Sequence, residues 1–230
     1  MPFLPVRTLL LTSALSVSLV AAGHARAFPV PEFAGSASPL TLSATTSTQS
    51  AKGNSQIQIG AENFISSMAR RALAFLGNAQ ETQTHKSEPF RRLLEDNYDM
   101  ETIGRFTMGR YWKTATPAQR AEYQRLFKKR VVEMYSNRFS EYKGQKFETR
   151  GARPEGENDT IVSSMIIPID GTPEVSVDWR VRYKDGRYRV VDVIGAGASM
   201  SGTQRSDFAS VIQQGGGDVQ VLIDHLKQKI

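Results

Sequence analysis

Few residues of this 230-residue chain have the types and spacing that chemistry requires. It has three histidines and no cysteine, and no HxxxH or HExxH pattern, so nothing in it suggests a metal site. There is no G-x-S-x-G elbow and no assignable set of Ser, His and Asp. Asp178 and Asp192 could work as paired carboxylates if both faced one pocket. Arg180, Arg182 and Arg189 stand nearby and offer both of them salt bridges instead. Gly195 and Gly197 form a G-x-G after an apolar run, but Met200 occupies the third glycine position of a dinucleotide loop and no strand pattern comes after it. That stretch is better read as a strand exit where glycine lets the backbone bend. Arg205 is either a surface ion-pair partner or a contact for a phosphate group.

The apolar residues say more. Phe106, Trp112, Phe127, Met134, Tyr135, Met165, Trp179 and Met200 are large or flexible groups spread over helical and strand segments alike. They build either a solid core or a core with a cavity, since methionines adapt to mixed shapes and aromatics line apolar pockets. Sequence alone leaves both open.

The elements that must position them are set by periodicity. Phe64, Ile65, Met68, Ala72, Phe75 and Leu76 recur at three- and four-residue steps, one helical stripe that Gly77-Asn78 should stop. A second helix carries Pro89 near its start with Phe90, Leu93 and Leu94, and a short third holds Met100, Ile103, Phe106 and Met108. Thr116, Pro117 and Gln119 are the N-cap, first turn and capping box of a fourth helix. Phe127, Val131, Met134, Tyr135 and Phe139 line one side of it, and it is expected to run to about Tyr142 before Gly144. The period then changes to two. Residues 146–153 and 159–169 read as strands, and Val175, Val177, Trp179, Val181 and Tyr183 alternate with polar residues before a tight turn at Asp185-Gly186. Helices over Thr203–Gln214 and Asp218–Lys229 close the chain. This order gives an α+β fold, with N-terminal helices packed on a curved antiparallel sheet and C-terminal helices after it.

The ends set the compartment. Residues 1–27 have a basic start at Arg7, a short apolar middle and an Ala25-x-Ala27 exit, the pattern of a cleaved secretory signal. The apolar run is shorter than the roughly 20 residues that a span needs. Residues 28–59, rich in Ser, Thr, Ala and Gly, read as a disordered leader, and residues 60–230 as the folded domain. The signal carries two cations and no acid, so the formal charge of +6 falls to +4, too little and too scattered for a nucleic-acid partner. An exported chain without cysteine has neither a disulfide framework nor a lipid anchor at the cleavage site.

One stretch is distinctive as a whole. Gly109, Arg110, Tyr111, Trp112, Thr116, Pro117, Ala118, Gln119, Arg120, Tyr123 and Phe127 resemble the toluene-tolerance, or MlaC-type, family of periplasmic phospholipid-binding proteins. "YKGQKFE" from Tyr142, the hairpin with Asp178, Gly186, Asp192, Gly197 and Ser199, and "TQRSDF" extend the resemblance over about Ala61 to Lys229. The long Ser/Thr leader departs from it, as does Ala196, where the pattern has an acid. The resemblance implies a cystatin/NTF2-like shape and an apolar pocket that takes acyl chains and leaves the headgroup outside. It implies a carrier, without cofactor, that shuttles lipid in the periplasm between an outer-membrane lipoprotein complex and an inner-membrane ABC transporter with an MCE-domain subunit. A hopanoid-associated branch has similar segments, and an enzyme of the same shape, an isomerase or dehydratase, is the other reading. On the carrier reading the candidate pocket residues are Phe106, Phe127, Val131, Met134, Tyr135, Met165, Val177, Trp179, Val181 and Met200, with Arg205 for the headgroup.

Overall fold

The computed structural model describes residues 45–77, 82–136 and 141–230, so the signal and the first part of the leader lie outside the described residues. The chain divides after Thr48 into two compact units, and Gln49–Ile230 is the unit that holds the sheet and the helices around it. The elements are α1 (Thr45–Leu76), α2 (Gln83–Asn97), α3 (Met100–Met108), α4 (Pro117–Ser136), β1 (Lys146–Glu155), β2 (Asp159–Ile167), β3 (Val175–Lys184), β4 (Arg187–Gly195), β5 (Ala198–Ser199), α5 (Met200–Gln214) and α6 (Val219–Lys227), with a 3-10 turn over Gly109–Trp112. The strands pair in chain order as an antiparallel meander, which makes the fold α+β as expected.

Local chemistry sets the boundaries. The Thr116 hydroxyl accepts from the Gln119 N–H at 3.2 Å, and the Gln119 side chain accepts from the Thr116 N–H at 3.0 Å, so the capping box closes in both directions. Asp185 and Gly186 both have positive φ, 52° and 74°, as a two-residue turn whose twist matches its strands requires. Ala196 and Gly197 repeat the pattern at 49° and 81°, so the G-x-G stretch is a second tight turn, leading into β5.

Two boundaries differ from expectation, and a third falls outside the described residues. The first helix begins at Thr45 and not near Gly60, so residues 45–59 extend a helix nucleated by the apolar stripe beyond them. The described part of α4 ends at Ser136, and residues 137–140, including Phe139, lie outside the described residues. The next helix starts at Met200 rather than Thr203, because the Ser199 hydroxyl accepts from the Gly202 N–H at 2.9 Å and caps it there.

Two apolar clusters form the interior. In the helical cluster Met108, Tyr123, Leu126 and Phe127 meet Phe208, Ile212, Leu222, Ile223 and Leu226. Tyr123 stacks on Phe127 at 5.8 Å and meets Phe208 edge-on, while its buried hydroxyl pairs with Thr107 at 2.7 Å. In the sheet-side cluster Ala61, Ile65 and Met68 of α1 pack with Leu93, Val162, Val181 and Val190. Tyr98, at the α2–α3 junction, packs against both clusters.

Candidate functional site

Alternation along β3 sorts the site. Val177, Trp179 and Val181 share one face of the sheet, opposite Ser164, Val162 and Thr160 of β2. Val177 and Val181 are buried, and Trp179 is half-buried between them. The indole N–H donates to the Ser164 hydroxyl at 2.9 Å, and that hydroxyl donates to the Val177 carbonyl at 2.7 Å. Phe147 of β1 meets the Trp179 ring edge-on at 6.2 Å. An aromatic surface is thus pinned to the sheet by its polar edge while its faces remain apolar.

On the helical side, one stripe of α4 runs outward from the core. Phe127 is buried in the helical cluster, and Val131 is half-buried against it. One turn further Met134 and Tyr135 are half-buried, and the Tyr135 hydroxyl donates to the Met200 sulfur at 3.4 Å. Burial pushes the Tyr98 phenol far above its ordinary value, and the nearby Tyr135 phenol adds to the shift. Tyr98 packs against both clusters and marks the place where they adjoin. We call this junction the seam.

Three predicted pocket residues lie elsewhere. Met165 pairs in register with Glu148 and Ser176, which places it on the sheet face opposite Val177, Trp179 and Val181. That strand is apolar on both faces, so its inward parity is fixed only by the neighbouring strands. Phe106 is 44% exposed on α3, whose buried side is Met100, Gly104, Thr107 and Met108. The Arg205 guanidinium lies over the Phe106 ring at 5.0 Å. It also crowds Gly109, where a Cβ would meet the Arg205 Nε at 2.9 Å and where φ is +60°. Met200, 42% exposed, sits at the rim of the seam beside Tyr135 and is not inside it.

The carboxylates resolve differently from a catalytic pair. Asp178 and Asp192 stand on the sheet face away from Trp179. Asp192 accepts from the Ser199 hydroxyl at 2.5 Å, the Ser201 N–H at 3.1 Å and the Val193 N–H at 2.9 Å, which ties β4 to the start of α5. Asp159 accepts from Arg180 at 2.7 Å and from Arg182 at 2.7 and 2.9 Å. Burial alone would raise the Asp159 carboxyl, but the hydrogen bonds from Arg182 and Arg180 outweigh it and hold the group below its ordinary value.

An open hollow of about 610 Å³ lies between α1 and α2, beside Arg71, Phe75, His85, Arg92 and Leu93, and another of about 440 Å³ lies at the α5–α6 turn. No predicted pocket residue lines either. Sequence reasoning did not find Tyr98, Ser164 or Phe147. The first two give no periodic signal, and Phe147 matters only through its cross-strand position.

Comparison with known proteins bears on the family. The model of the MlaC protein family matches residues 66–228. The intermembrane phospholipid transport system binding protein MlaC of Haemophilus influenzae is 25% identical over 133 residues, which cover 56% of this chain and 61% of that protein, so the match spans about three fifths of its length. The toluene tolerance protein ttg2D of Pseudomonas putida is 26% identical over 149 residues, 62% of this chain and 69% of that protein. A phospholipid-binding protein from Ralstonia solanacearum, solved in complex with a phospholipid, shares the fold with a TM-score of 0.65 at 24% identity, covering 74% of this chain and 96% of that one. With the family model matched over most of the folded domain and the capped α4, the meander and the closing helices in place, this chain belongs to the MlaC family.

Proposed function

We propose that this chain is a periplasmic phospholipid carrier that takes acyl chains into the seam between the helical cluster and the apolar face of the sheet. Membership of the MlaC family carries the reading, together with a relative named for intermembrane phospholipid transport. The signal pattern of residues 1–27 puts the mature protein, starting near Phe28, outside the cytoplasm. Among the described residues no helix is long and apolar enough to cross a membrane. The walls are Phe127, Val131, Met134 and Tyr135 on one side and Val177, Trp179 and Val181 on the other, with Tyr98 between them. The partners are an outer-membrane lipoprotein complex and an inner-membrane ABC transporter with an MCE-domain subunit.

A carrier of this kind needs no nucleophile, and Asp178 and Asp192, the two carboxylates that an enzyme would require, stand on the wrong sheet face for an apolar pocket. Transfer is by handover. Each buried CH₂ contributes roughly 0.8 kcal/mol, so two acyl chains with about 30 of them gain roughly 24 kcal/mol gross. Chain ordering and opening of the seam reduce this, yet escape into water remains slow. The test is native mass spectrometry of the purified mature protein, followed by organic extraction. A phospholipid-sized adduct is expected, and its persistent absence after purification from cells with intact envelopes would overturn the proposal.

A further inference from the structure

The formal charge is small, but it is not scattered as the whole-chain composition suggested: it is concentrated in one stretch of the chain. Residues 100–136, from α3 to α4, carry eight Lys and Arg against three Asp and Glu, which is +5 of the chain's +6. On α4, Arg125, Lys128 and Lys129 fall within one narrow sector of the helix, beside the small residues Ala118 and Ala121, and all five are exposed. Among the described residues none of these three cations has an ion-pair partner. The acids that flank them are directed elsewhere. Glu122 is held by Lys227 of α6 at 2.9 Å, and a Glu133 carboxylate oxygen is buried. Arg105 of α3 extends the surface, since its neighbour Gly104 abuts Gln124 of α4. Glu101 is the one exposed acid on that border.

The arginines of α2 show the alternative. Arg91 is bound by Glu88 and Glu95, and Arg92 by Glu88, so that exposed helix face is neutralised within itself. The face of α4 is not.

We propose that the outer face of α4, with Arg125, Lys128 and Lys129 at its centre, docks on a bilayer surface rich in anionic phospholipid headgroups. Protein interfaces centre on large buried anchors, chiefly aromatic side chains and arginine. The sector has no exposed large apolar residue, two of its three cations are lysines, and the alanines Ala118 and Ala121 lie on the side of Arg125. A diffuse row of flexible cations instead suits a fluid surface of mobile phosphates, where each Lys or Arg adds independently. The face is distinct from the seam. Phe127 and Val131 point inward from the same helix, so docking would hold the membrane against the outside of one pocket wall.

The test is flotation of the full mature chain with vesicles of phosphatidylcholine alone or with about one third phosphatidylglycerol. The wild type is expected to float with the anionic vesicles only, and less as salt rises. The triple variant R125Q/K128Q/K129Q should lose affinity about a hundredfold, at roughly fivefold per residue. The charge-preserving R125K/K128R/K129R should retain it. A control of equal charge loss elsewhere, K146Q/K184Q/R187Q, should behave nearly as wild type. Far-UV circular dichroism and lipid content by native mass spectrometry, followed in every variant, separate failure of docking from failure of the carrier reading. Three results would overturn the proposal: no flotation of the wild type, a triple variant that floats like it, or a control that loses as much as the triple variant. A face that binds an acidic protein and no vesicle falls under the first of these.

Discussion

The two apolar clusters are made of similar residues and finished differently. In the helical cluster Tyr123, Leu126, Ile212, Leu222 and Ile223 are at most 1% exposed, three aromatic rings interlock, and the tyrosine hydroxyl has its partner. In the sheet-side cluster the buried residues are mostly small or aliphatic, and the aromatics Phe64, Phe75, Phe147, Trp179 and Tyr188 are only partly covered. Native-like packing is unforgiving of volume changes, whereas a partly covered aromatic layer can exchange one apolar neighbour for another. The first cluster is a frame, and the second is an adaptable surface held up by it.

The contrast can be broken most directly from the frame. Phe208→Ala should cost about 3–5 kcal/mol, the loss and cavity expected for a buried phenylalanine, and lipid content should fall only as far as folding does. Urea denaturation read beside lipid stoichiometry separates the two. Val177→Trp acts from the other side. Overpacking costs about 1–3 kcal/mol, and here occupancy should fall further than stability does. A loaded, weakened protein would contradict the seam as the binding place.

Smaller effects sharpen the comparison. Thr116→Ala removes a cap made by two hydrogen bonds and should cost about 0.5–2 kcal/mol, with lipid content per folded molecule unchanged. Trp179→Phe keeps an aromatic ring but loses the indole's second ring and the bond to Ser164, the bond worth about 1 kcal/mol, with a change in lipid release rate larger than its change in melting temperature. Acid sensitivity belongs to the polar face of the sheet. Asp159 has a folded value below its unfolded one, so its contribution is complete above about pH 4 and is lost as pH falls through the folded value. Asp159→Asn should flatten that part of the acid limb in a denaturation series. An unchanged limb would show that another carboxylate controls it.

Much of this arrangement was legible in the sequence, and the part that was not has a common cause. The caps at Thr116, the tight turn at Asp185-Gly186 and the alternation of Val177, Trp179 and Val181 are local, and each appears where the residues put it. Met165 lies in a run apolar on both parities, so only pairing with β1 and β3 decides its face. Phe106 sits in a helix of nine residues, too short for its stripe to define an inside. The seam itself rests on Tyr98, a lone aromatic between two helices, and its neighbours come from distant parts of the chain. Alternation alone sets Asp178 away from the apolar face, whereas exclusion of Asp192 was fixed by register with Arg180, which an isolated strand does not reveal.

The two tryptophans divide between the regions, and that makes the molecule its own optical gauge. Trp112 belongs to the helical side, under the Arg120 guanidinium at 5.5 Å, and its carbonyl accepts from the same arginine at 2.8 Å. Trp179 lies on the sheet face proposed to meet the acyl chains. Exchange of contents at the seam would recolour one emitter and leave the other as a constant background. With Trp112→Phe the remaining fluorescence would come from Trp179 alone, so a stopped-flow trace of emission wavelength would time arrival and departure of lipid without any attached dye.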